Sequence, residues 1–365
     1  MWSIPDRRSL KPSPIFICGP ARSGTTLLVR LLDSHPELAV LPEETYLYQD
    51  LLLNRRLSWL IVHLSELFDL PQLPGILNRS PFCWFAFSDR ERLRRRLQIW
   101  MQSFENDEKV PAEIIDRLTS LRTPGRQYWQ VFLKAYEQLI PGRLESSRYW
   151  LEKTPSNERF IPLHEQTFSG ACRYIHIIRD PRDVAASLFK RRGDAPDARA
   201  ASLVRICYLW SLSVHLAAYG LRSYSGRYHV LRYENLVQKP QEVIQELCRF
   251  LDIDFRESML TPTKLGKPVP PNSSYEETEP KAAVVSSQIG RFAEVLAEDE
   301  VRFLEHVLDR QMGACGYVSQ TAHEIVQSPP QLLQGTRRAW QSKTQLARMR
   351  KFQQEFAGRS LSFVW

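Results

Sequence analysis

The sequence predicts an α/β fold with a central, mostly parallel sheet, a helical insertion and a helical extension at the C-terminus. Continuous apolar runs at residues 15–18, 174–178 and 228–231 are typical of strands that are buried on both faces of a parallel sheet. A helical repeat follows each run, and this alternation indicates the α/β class. At 365 residues and 43% hydrophobic content, the chain is long enough to bury a large core.

The first strand leads into a glycine-bearing turn and then into a helix. Gly19 and Gly24 are five positions apart, as the glycines are in the Walker A pattern, and Thr26 falls where that pattern ends in a hydroxyl. Thr25 stands in the lysine position, so the nearest cation is Arg22, inside the turn. A turn of this kind aims backbone N–H groups and a helix N-terminus at one point. We therefore predict an anion site for a ligand other than a nucleoside triphosphate, with an ordinary strand-to-helix turn as the alternative.

Residues 38–41 predict a second short strand, and Glu43 and Glu44 follow it at a place where a substrate hydroxyl could arrive. The alternative is that these two carboxylates lie at the start of the next helix, where the positive end of the helix dipole favours acidic side chains. His35, which precedes a proline, is interpreted as structural. The helical periodicity of residues 46–150 covers more chain than one connection needs, which predicts a helical insertion over the site.

The α/β pattern resumes at residues 149–155, where a strand ends in Lys153. A helix predicted over 158–168 then leads to strand 174–178, with Arg179 at its end. Ligands of open parallel sheets bind beyond the carboxyl ends of the strands. Arg179 is therefore placed to share a ligand with the glycine turn, and a surface salt bridge is the alternative role for this arginine.

The remaining chain alternates helices with one more strand. Helices are predicted over 198–224, 241–251 and 299–312, and a strand over 228–231. Residues 262–290 are rich in Pro, Ser, Thr and Glu, which predicts a long loop with weak structure.

The net charge of +8 is concentrated near the C-terminus, because seven Lys or Arg against two Glu give residues 319–365 a charge of +5. Such charge can attract nucleic acid, acidic lipid or an anionic substrate, although a solvated helix face is the commoner cause. The six cysteines show no C-x-x-C pair, no apolar run reaches the roughly 20 residues that span a bilayer, and the N-terminus has no apolar core. We expect a cytoplasmic protein with reduced thiols.

Four separated segments together resemble one enzyme family. They are PARSGTTLL at 20–28, EKTP at 152–155, IIRDPRDVAAS at 177–187 and the weaker YENL at 233–236. In this order they resemble the sulfotransferases that use 3′-phosphoadenosine-5′-phosphosulfate (PAPS), in particular the branch with the tyrosyl-protein sulfotransferases and many bacterial members. The resemblance implies a P-loop-type three-layer fold, a sulfotransferase domain over 1–318 with the insertion at about 46–150, and a basic, helical extension over 319–365.

The resemblance also implies roles for individual residues. The 5′-phosphosulfate end of PAPS would be held by Arg22, Ser23, Gly24, Thr25 and Thr26. The 3′-phosphate end would be bound by Arg179 and Ser187, with Arg191, Tyr233 and Arg291 beside them. Lys153 resembles the family lysine close to the transferred sulfuryl group. The family's general base is a glutamate shortly after the His-Pro pair: a gapless count from His35 selects Glu43, and the string Glu-Glu-Thr selects Glu44. We expect Glu43 to be the base, with Glu44 as the alternative.

These residue types suit sulfuryl transfer. A carboxylate can take the proton of the acceptor hydroxyl, while Arg22 and Lys153 stabilise charge on the sulfuryl oxygens and the leaving phosphate. The reaction requires no metal, and the sequence shows no cluster of His, Cys and carboxylate residues for one.

The expected partner is a hydroxyl acceptor, and the sequence leaves a phenol, a sugar, a lipid head group and a peptide tyrosine open. No nucleic-acid partner is expected, whereas peripheral membrane contact through the basic tail and the oligomeric state stay open. Two other hypotheses remain. The chain could be a small-molecule kinase with a degenerate phosphate loop, or a non-catalytic protein of the same fold that binds a nucleotide, RNA or a membrane.

Overall fold

The computed structural model describes residues 12–46, 126–192, 196–270 and 287–320, with single positions between 48 and 116. The helices and strands of this part of the chain, numbered in chain order, are β1 (Ser13–Cys18), α1 (Thr25–Leu32), β2 (Leu38–Val40), α2 (Arg126–Leu139), α3 (Arg143–Ser146), β3 (Tyr149–Lys153), α4 (Ile161–Phe168), β4 (Arg173–Ile178), α5 (Pro181–Arg192), α6 (Pro196–Ser223), β5 (Tyr228–Arg232), α7 (Tyr233–Gln238), α8 (Pro240–Leu251), β6 (Thr263–Lys264), β7 (Lys267–Pro268), α9 (Phe292–Val295) and α10 (Glu298–Ala314). Most of the predicted insertion and nearly all of the predicted basic extension lie outside the described residues.

The main sheet has five parallel strands in the order β2-β3-β1-β4-β5. The first strand lies at its centre, where Ile17 is level with Lys153 of β3 and with Ile175 of β4. The predicted α/β class with a central parallel sheet is confirmed. Because the strands run in the same direction, all five carboxyl ends meet at one edge, and this edge carries the predicted site.

Successive residues of β1 pack on opposite faces of the sheet. Ile15 and Ile17 lie in a core with the apolar sides of α1 and α8, whereas Phe16 and Cys18 lie in a second core with α2 and α4. All four side chains are fully buried. This burial on both faces explains the continuous apolar run in the sequence, and it gives the predicted three layers of helix, sheet and helix.

Helix α6 is the longest helix of the described chain. Within its stretch Arg199–Ser223, an 18-residue window has a mean hydropathy of 1.3, so the helix could cross a membrane by length and composition alone. However, 67% of this window is buried inside the protein, where apolar residues of α6 share a core with α5 and α10. Packing within the protein therefore explains its apolar composition.

Residues 262–290 depart from the sequence-based prediction at their start. The prediction of a weakly structured loop is wrong there, because β6 and β7 form an antiparallel hairpin. The hydroxyl of Thr263 and the N–H of Gly266 both donate to Asp33 Oδ2 at 2.8 Å, which docks the hairpin at the end of α1. The helix predicted over 158–168 is also modified, since a 3₁₀ turn at Asn157–Phe160 precedes α4.

Candidate active site

The turn between β1 and α1 needs glycine at two positions. Gly19 has φ of 132° and Gly24 has φ of 93°, both in the region that favours glycine. A Cβ atom on Gly19 would lie 2.5 Å from the carbonyl oxygen of Ile177, and one on Gly24 would lie 2.3 Å from the ring of Tyr233. We call residues 19–26 the anion loop; its backbone packs closely against Ile177 of β4 and Tyr233 at the start of α7.

A buried carboxylate holds the anion loop from beneath. Glu158 accepts from the N–H of Gly19 at 2.9 Å and from the hydroxyl of Ser213 at 2.7 Å. Because a carboxylate only accepts, Ser213 in turn accepts from His176 Nε2 at 2.9 Å, and His176 Nδ1 accepts from the hydroxyl of Tyr228 at 2.7 Å. Burial lowers the pKa of His176 to about 4, which agrees with this neutral ring. The sequence analysis missed Glu158, whose role depends on contacts far apart in the chain.

The start of α1 is suited to an anion. Gly24 occupies the N-cap position, no side chain caps the helix, and its first turn contains no acidic residue. The positive end of the helix dipole therefore meets no protein charge of opposite sign on its own first turn. The hydroxyl of Ser23 is fully buried and has no hydrogen-bond partner among the described residues. An anion bound in the loop would satisfy this hydroxyl, which otherwise costs about 1–3 kcal/mol.

Lys153 joins the anion loop to one of the two candidate bases. Its Nζ donates to the hydroxyl of Thr26 at 3.2 Å and to Glu44 Oε1. Glu43 points to a different cation, because its Oε1 accepts from Lys264 of the hairpin at 2.6 Å. The structure thus brings Glu44 beside Lys153 and the anion loop, whereas Glu43, which the gapless count favours, pairs with the hairpin.

A cavity of about 920 Å³ opens at this edge of the sheet. Its wall combines residues of the anion loop, both glutamates and the hairpin, namely Ala21, Arg22, Thr25, Thr26, Val29, Arg30, Asp33, Val40, Leu41, Pro42, Glu43, Glu44, Tyr46, Lys153, Pro155, Arg191, Thr263 and Lys264. The cavity therefore extends from the loop, past Lys153 and Glu44, to the hairpin. Arg30 and Lys264 supply cationic side chains to the wall at the hairpin.

A cationic cluster, formed by Arg22 and Arg179, lies beside the anion loop at the end of β4. The guanidinium of Arg179 stacks 4.3 Å from the ring centroid of Tyr233, and its Nη1 donates to the carbonyl of Arg22 at 3.1 Å. The side chain of Arg22 donates from Nε to the hydroxyl of Ser187 at 3.0 Å. Arg179 is buried, and its Nε has no hydrogen-bond partner in the described part of the chain. The cluster thus holds an unused donor that a second anionic group would satisfy.

Segment 288–292 closes one side of this cluster. Asp183 accepts from the N–H groups of Gly290 and Phe292 at 2.9 and 3.0 Å. Burial raises the pKa of Asp183, and the nearby Arg179 guanidinium, 4.0 Å away, opposes this shift. Arg291 reaches Gln288 Oε1 at 3.2 Å, so it lies next to the cluster on this segment.

The predicted site residues therefore gather at one edge, although they do not form a single group. Arg22 contacts both Ser187 and Arg179, and Arg179 contacts Tyr233. Arg191 lines the cavity, and Arg291 lies on the adjoining segment. His35 is structural, as predicted: its Nδ1 accepts from the N–H of Glu37 and its Nε2 donates to the carbonyl of Asp254. No group of three or more His, Cys, Asp and Glu side chains that could hold a metal occurs in the ranges that the structure describes.

Comparison with known proteins gives the family. Residues 14–257, which are more than half of the chain, match the model of the sulfotransferase family. The chain therefore belongs to this family, and it is a sulfotransferase enzyme.

Individual relatives are distant. A Caenorhabditis briggsae protein named as a candidate protein-tyrosine sulfotransferase is 22% identical over 80% of this chain and 85% of its own length. A Caenorhabditis elegans protein of the same name is 22% identical over 60% of this chain and 79% of its own. Among solved structures, the sulfotransferase domain of the Synechococcus PCC 7002 olefin synthase superimposes with a TM-score of 0.51 at 21% identity, covering 84% of this chain and 98% of that domain. This likeness concerns the fold.

Proposed function

We propose that the protein transfers the sulfuryl group of PAPS to a hydroxyl acceptor, with Glu44 as the general base. The observation that carries this proposal is the position of Lys153, whose ammonium group contacts both Thr26 of the anion loop and Glu44 at the cavity wall. A cation, a carboxylate and an anion-binding helix start converge there. Acid–base and charge-stabilising groups must converge in this way on the atoms that react.

The donor is the one that the family resemblance implies, and the anion loop and the cationic cluster suit its two anionic ends. The anion loop, with the buried hydroxyl of Ser23 and the hydroxyls of Thr25 and Thr26, would hold the 5′-phosphosulfate. Arg179 and Ser187 would bind the 3′-phosphate, and Tyr233 would lie near the nucleotide. We assign Arg191 and Arg291 supporting roles, because Arg191 lines the cavity and Arg291 lies on the segment beside the cationic cluster, where it donates to Gln288.

The proposed chemistry is a displacement at sulfur. Glu44 takes the proton of the acceptor hydroxyl as the acceptor oxygen forms its bond to sulfur. The bond between sulfur and the bridging oxygen of the phosphosulfate breaks, and its electron pair leaves with adenosine 3′,5′-bisphosphate. Lys153 and Arg22 stabilise the charge that develops on the sulfuryl oxygens and on the leaving phosphate. General-base assistance of this kind typically contributes about 100- to 10,000-fold.

The choice of Glu44 over Glu43 depends on their partners. Glu44 is next to Lys153, and Lys153 is next to the loop that would hold the sulfuryl group. Glu43 is paired with Lys264 at 2.6 Å, on the part of the cavity that the hairpin lines. We therefore propose that Glu43 belongs to the acceptor side of the cavity, where it holds the hairpin lysine.

The test begins with binding. Saturable binding of adenosine 3′,5′-bisphosphate, without comparable binding of ATP with magnesium, supports the proposal. A preference for ATP with magnesium would favour the kinase hypothesis instead. Deletion of residues 330–365 tests the hypothesis of a non-catalytic binding protein. Such a protein, which would depend on its basic tail, should no longer bind RNA or a membrane in this variant. Under our proposal the variant should keep its affinity for adenosine 3′,5′-bisphosphate.

The acceptor is then found by transfer. Sulfur-labelled PAPS is incubated with a panel of phenols, sugars, lipid head groups and tyrosine peptides, and mass spectrometry locates the sulfate on the product. The names of the two Caenorhabditis relatives make tyrosine peptides the first acceptors to try. Labelled product from one acceptor class, lost in Glu44→Gln, is the expected result; binding without transfer to any acceptor would argue against the enzyme hypothesis.

A further inference from the structure

The carboxylate of Glu152 lies under the active-site edge and has no role in the chemistry proposed above. It is only 1% exposed and sits at the end of β3, immediately before Lys153. Successive strand residues point to opposite faces, so Lys153 faces the cavity while Glu152 faces the interior. Burial of an acidic side chain is costly unless hydrogen bonds satisfy it, so its partners show what this carboxylate is for.

Glu152 accepts four hydrogen bonds, and two of them come from the residue that follows the proposed base. Its Oε1 accepts from the N–H of Thr45 at 3.2 Å and from the hydroxyl of Thr45 at 2.9 Å. The same oxygen accepts from the hydroxyl of Thr154 at 2.5 Å, and Oε2 accepts from Asn157 Nδ2 at 2.8 Å. One carboxylate thus gathers donors from the segment after β2 and from the segment after β3.

The network extends one step further on each side. The hydroxyl of Thr154 accepts from the N–H of Tyr46 at 3.1 Å, which adds a third bond to the segment that carries Glu44. Asn157 Nδ2 also donates to the carbonyl of Ile17 at 3.1 Å, next to the anion loop. Residues 45–46 are therefore tied through Glu152 to the ends of β3 and β1, the two strands that carry Lys153 and the anion loop.

We infer that Glu152 is a positioning residue for the general base, which it acts on through Thr45. It fixes the backbone on the C-terminal side of Glu44, so the carboxylate of Glu44 stays within reach of Lys153 and the acceptor. Lys153 and Glu152 are adjacent in sequence, so the end of β3 determines the positions of both the cation Lys153 and the base Glu44. This inference rests on the proposed function of Glu44.

The test uses Thr45, because Glu152→Ala would remove four hydrogen bonds at once and is expected to unfold part of the site. Thr45→Val keeps the shape of the side chain and loses the hydroxyl that donates to Glu152, whereas Thr45→Ser keeps the hydroxyl. In Thr45→Val we expect kcat at saturating PAPS and acceptor to fall about 10- to 100-fold, because a misplacement near 1 Å costs roughly 100-fold. The dissociation constant of adenosine 3′,5′-bisphosphate should stay close to that of the wild type, and Thr45→Ser should recover kcat.

Amide hydrogen exchange of the peptide over residues 43–46 provides a readout that does not depend on activity. Loss of protection in Thr45→Val, with protection retained in Thr45→Ser, supports the inference that Glu152 fixes this backbone through Thr45. Wild-type kcat and protection in Thr45→Val would overturn the inference, as would a fall in bisphosphate affinity that matches the fall in kcat. If Glu44→Gln were fully active, the proposed role of Glu44 as the base would be wrong. Hydrogen exchange would still show whether the bonds of Thr45 to Glu152 fix the backbone of residues 43–46.

Discussion

Arg22 Nε donates to the hydroxyl of Ser187 at 3.0 Å, although 165 positions separate the two residues in the chain. This bond connects the anion loop to the middle of α5. The carbonyl of Arg22 also accepts from Arg179 at 3.1 Å, so Arg22 belongs both to the anion loop and to the cationic cluster. A ligand with two anionic ends would therefore contact one continuous surface. Substitutions in the anion loop and substitutions around Arg179 should weaken the binding of different ends of this ligand.

The two neighbouring glutamates should differ sharply in their effect on turnover. We expect Glu44→Gln to lower kcat by about 100- to 10,000-fold, the usual contribution of a general base, because the amide cannot take the acceptor proton. Glu43→Gln is the matched control and should retain most of kcat, since Glu43 pairs with Lys264. Both variants should bind adenosine 3′,5′-bisphosphate as the wild type does. A large loss in Glu43→Gln together with near-normal turnover in Glu44→Gln would reverse the assignment.

We expect Arg179 to bind the 3′-phosphate of the nucleotide. We expect Arg179→Ala to weaken adenosine 3′,5′-bisphosphate by roughly 10- to 100-fold, because a hydrogen bond to a charged group contributes about 1.5–3 kcal/mol. The affinity for 5′-AMP, which lacks this phosphate, should change much less. Calorimetric titration of both nucleotides measures the difference, and Arg179→Lys tests whether charge without the planar fork suffices. Equal weakening of both nucleotides would show that Arg179 acts on the fold of the site and not on that phosphate.

Gly24 and Gly142 form a matched pair of glycines. Their φ angles are 93° and 79°, yet a Cβ atom on Gly24 would meet the ring of Tyr233 at 2.3 Å, whereas one on Gly142 would meet nothing within 4 Å. Gly142→Ala should therefore show only the left-handed backbone cost, about 1–2 kcal/mol in urea unfolding. Gly24→Ala should in addition displace Tyr233 and abolish measurable bisphosphate binding. Intact binding in Gly24→Ala would mean that the anion loop is not the nucleotide site.

His176 should make stability depend on pH. Burial lowers its pKa to about 4 in the folded protein, whereas an unfolded histidine titrates near 6.5. The unfolded chain therefore takes up the proton first, and stability is lost as the pH falls from about 6.5 to about 4. Between pH 7 and pH 5 this amounts to about 2 kcal/mol of unfolding free energy.

Comparison with a variant isolates this effect from other buried groups. Burial raises the pKa values of Glu152, Asp183 and Glu234, which act in the opposite direction as the pH falls. His176→Gln keeps a donor and an acceptor without titrating in this range. Urea unfolding of both proteins at pH 7 and pH 5 should show a smaller loss in the variant, and equal losses would exclude His176 as the source.

The central strands of the sheet could be predicted from the sequence, because a strand that is buried on both faces has a continuous apolar run, as β1 and β4 do. Side chains at the ends of parallel strands must also meet at one edge, so Lys153 and Arg179 could be placed near the anion loop in advance. The hairpin of β6 and β7 could not be predicted, because strands of two residues have no periodicity to detect and one of them contains Pro268.

The directions of Glu43 and Glu44, on which our proposed choice of base depends, could not be predicted from the sequence. Adjacent residues in a short loop have no repeat that would fix the direction of their side chains, and the direction is set by Lys153 and Lys264, which lie far along the chain. Glu152 and Glu158 were missed for the same reason, since their partners Thr45 and Gly19 are 107 and 139 positions away.

The bond from Gly19 to Glu158 has a kinetic consequence. The N–H of Gly19 donates to Glu158 and its carbonyl accepts from the N–H of Ser156, so protein groups alone hold the start of the anion loop in shape. A nucleotide that arrives need not wait for this part of the loop to order. Its association rate should then be set by diffusion and by the field of the surrounding cations, and it should fall as salt screens that field. For a bisphosphate bound as proposed above, both anionic ends must leave together, so its residence time should exceed that of 5′-AMP through slower dissociation.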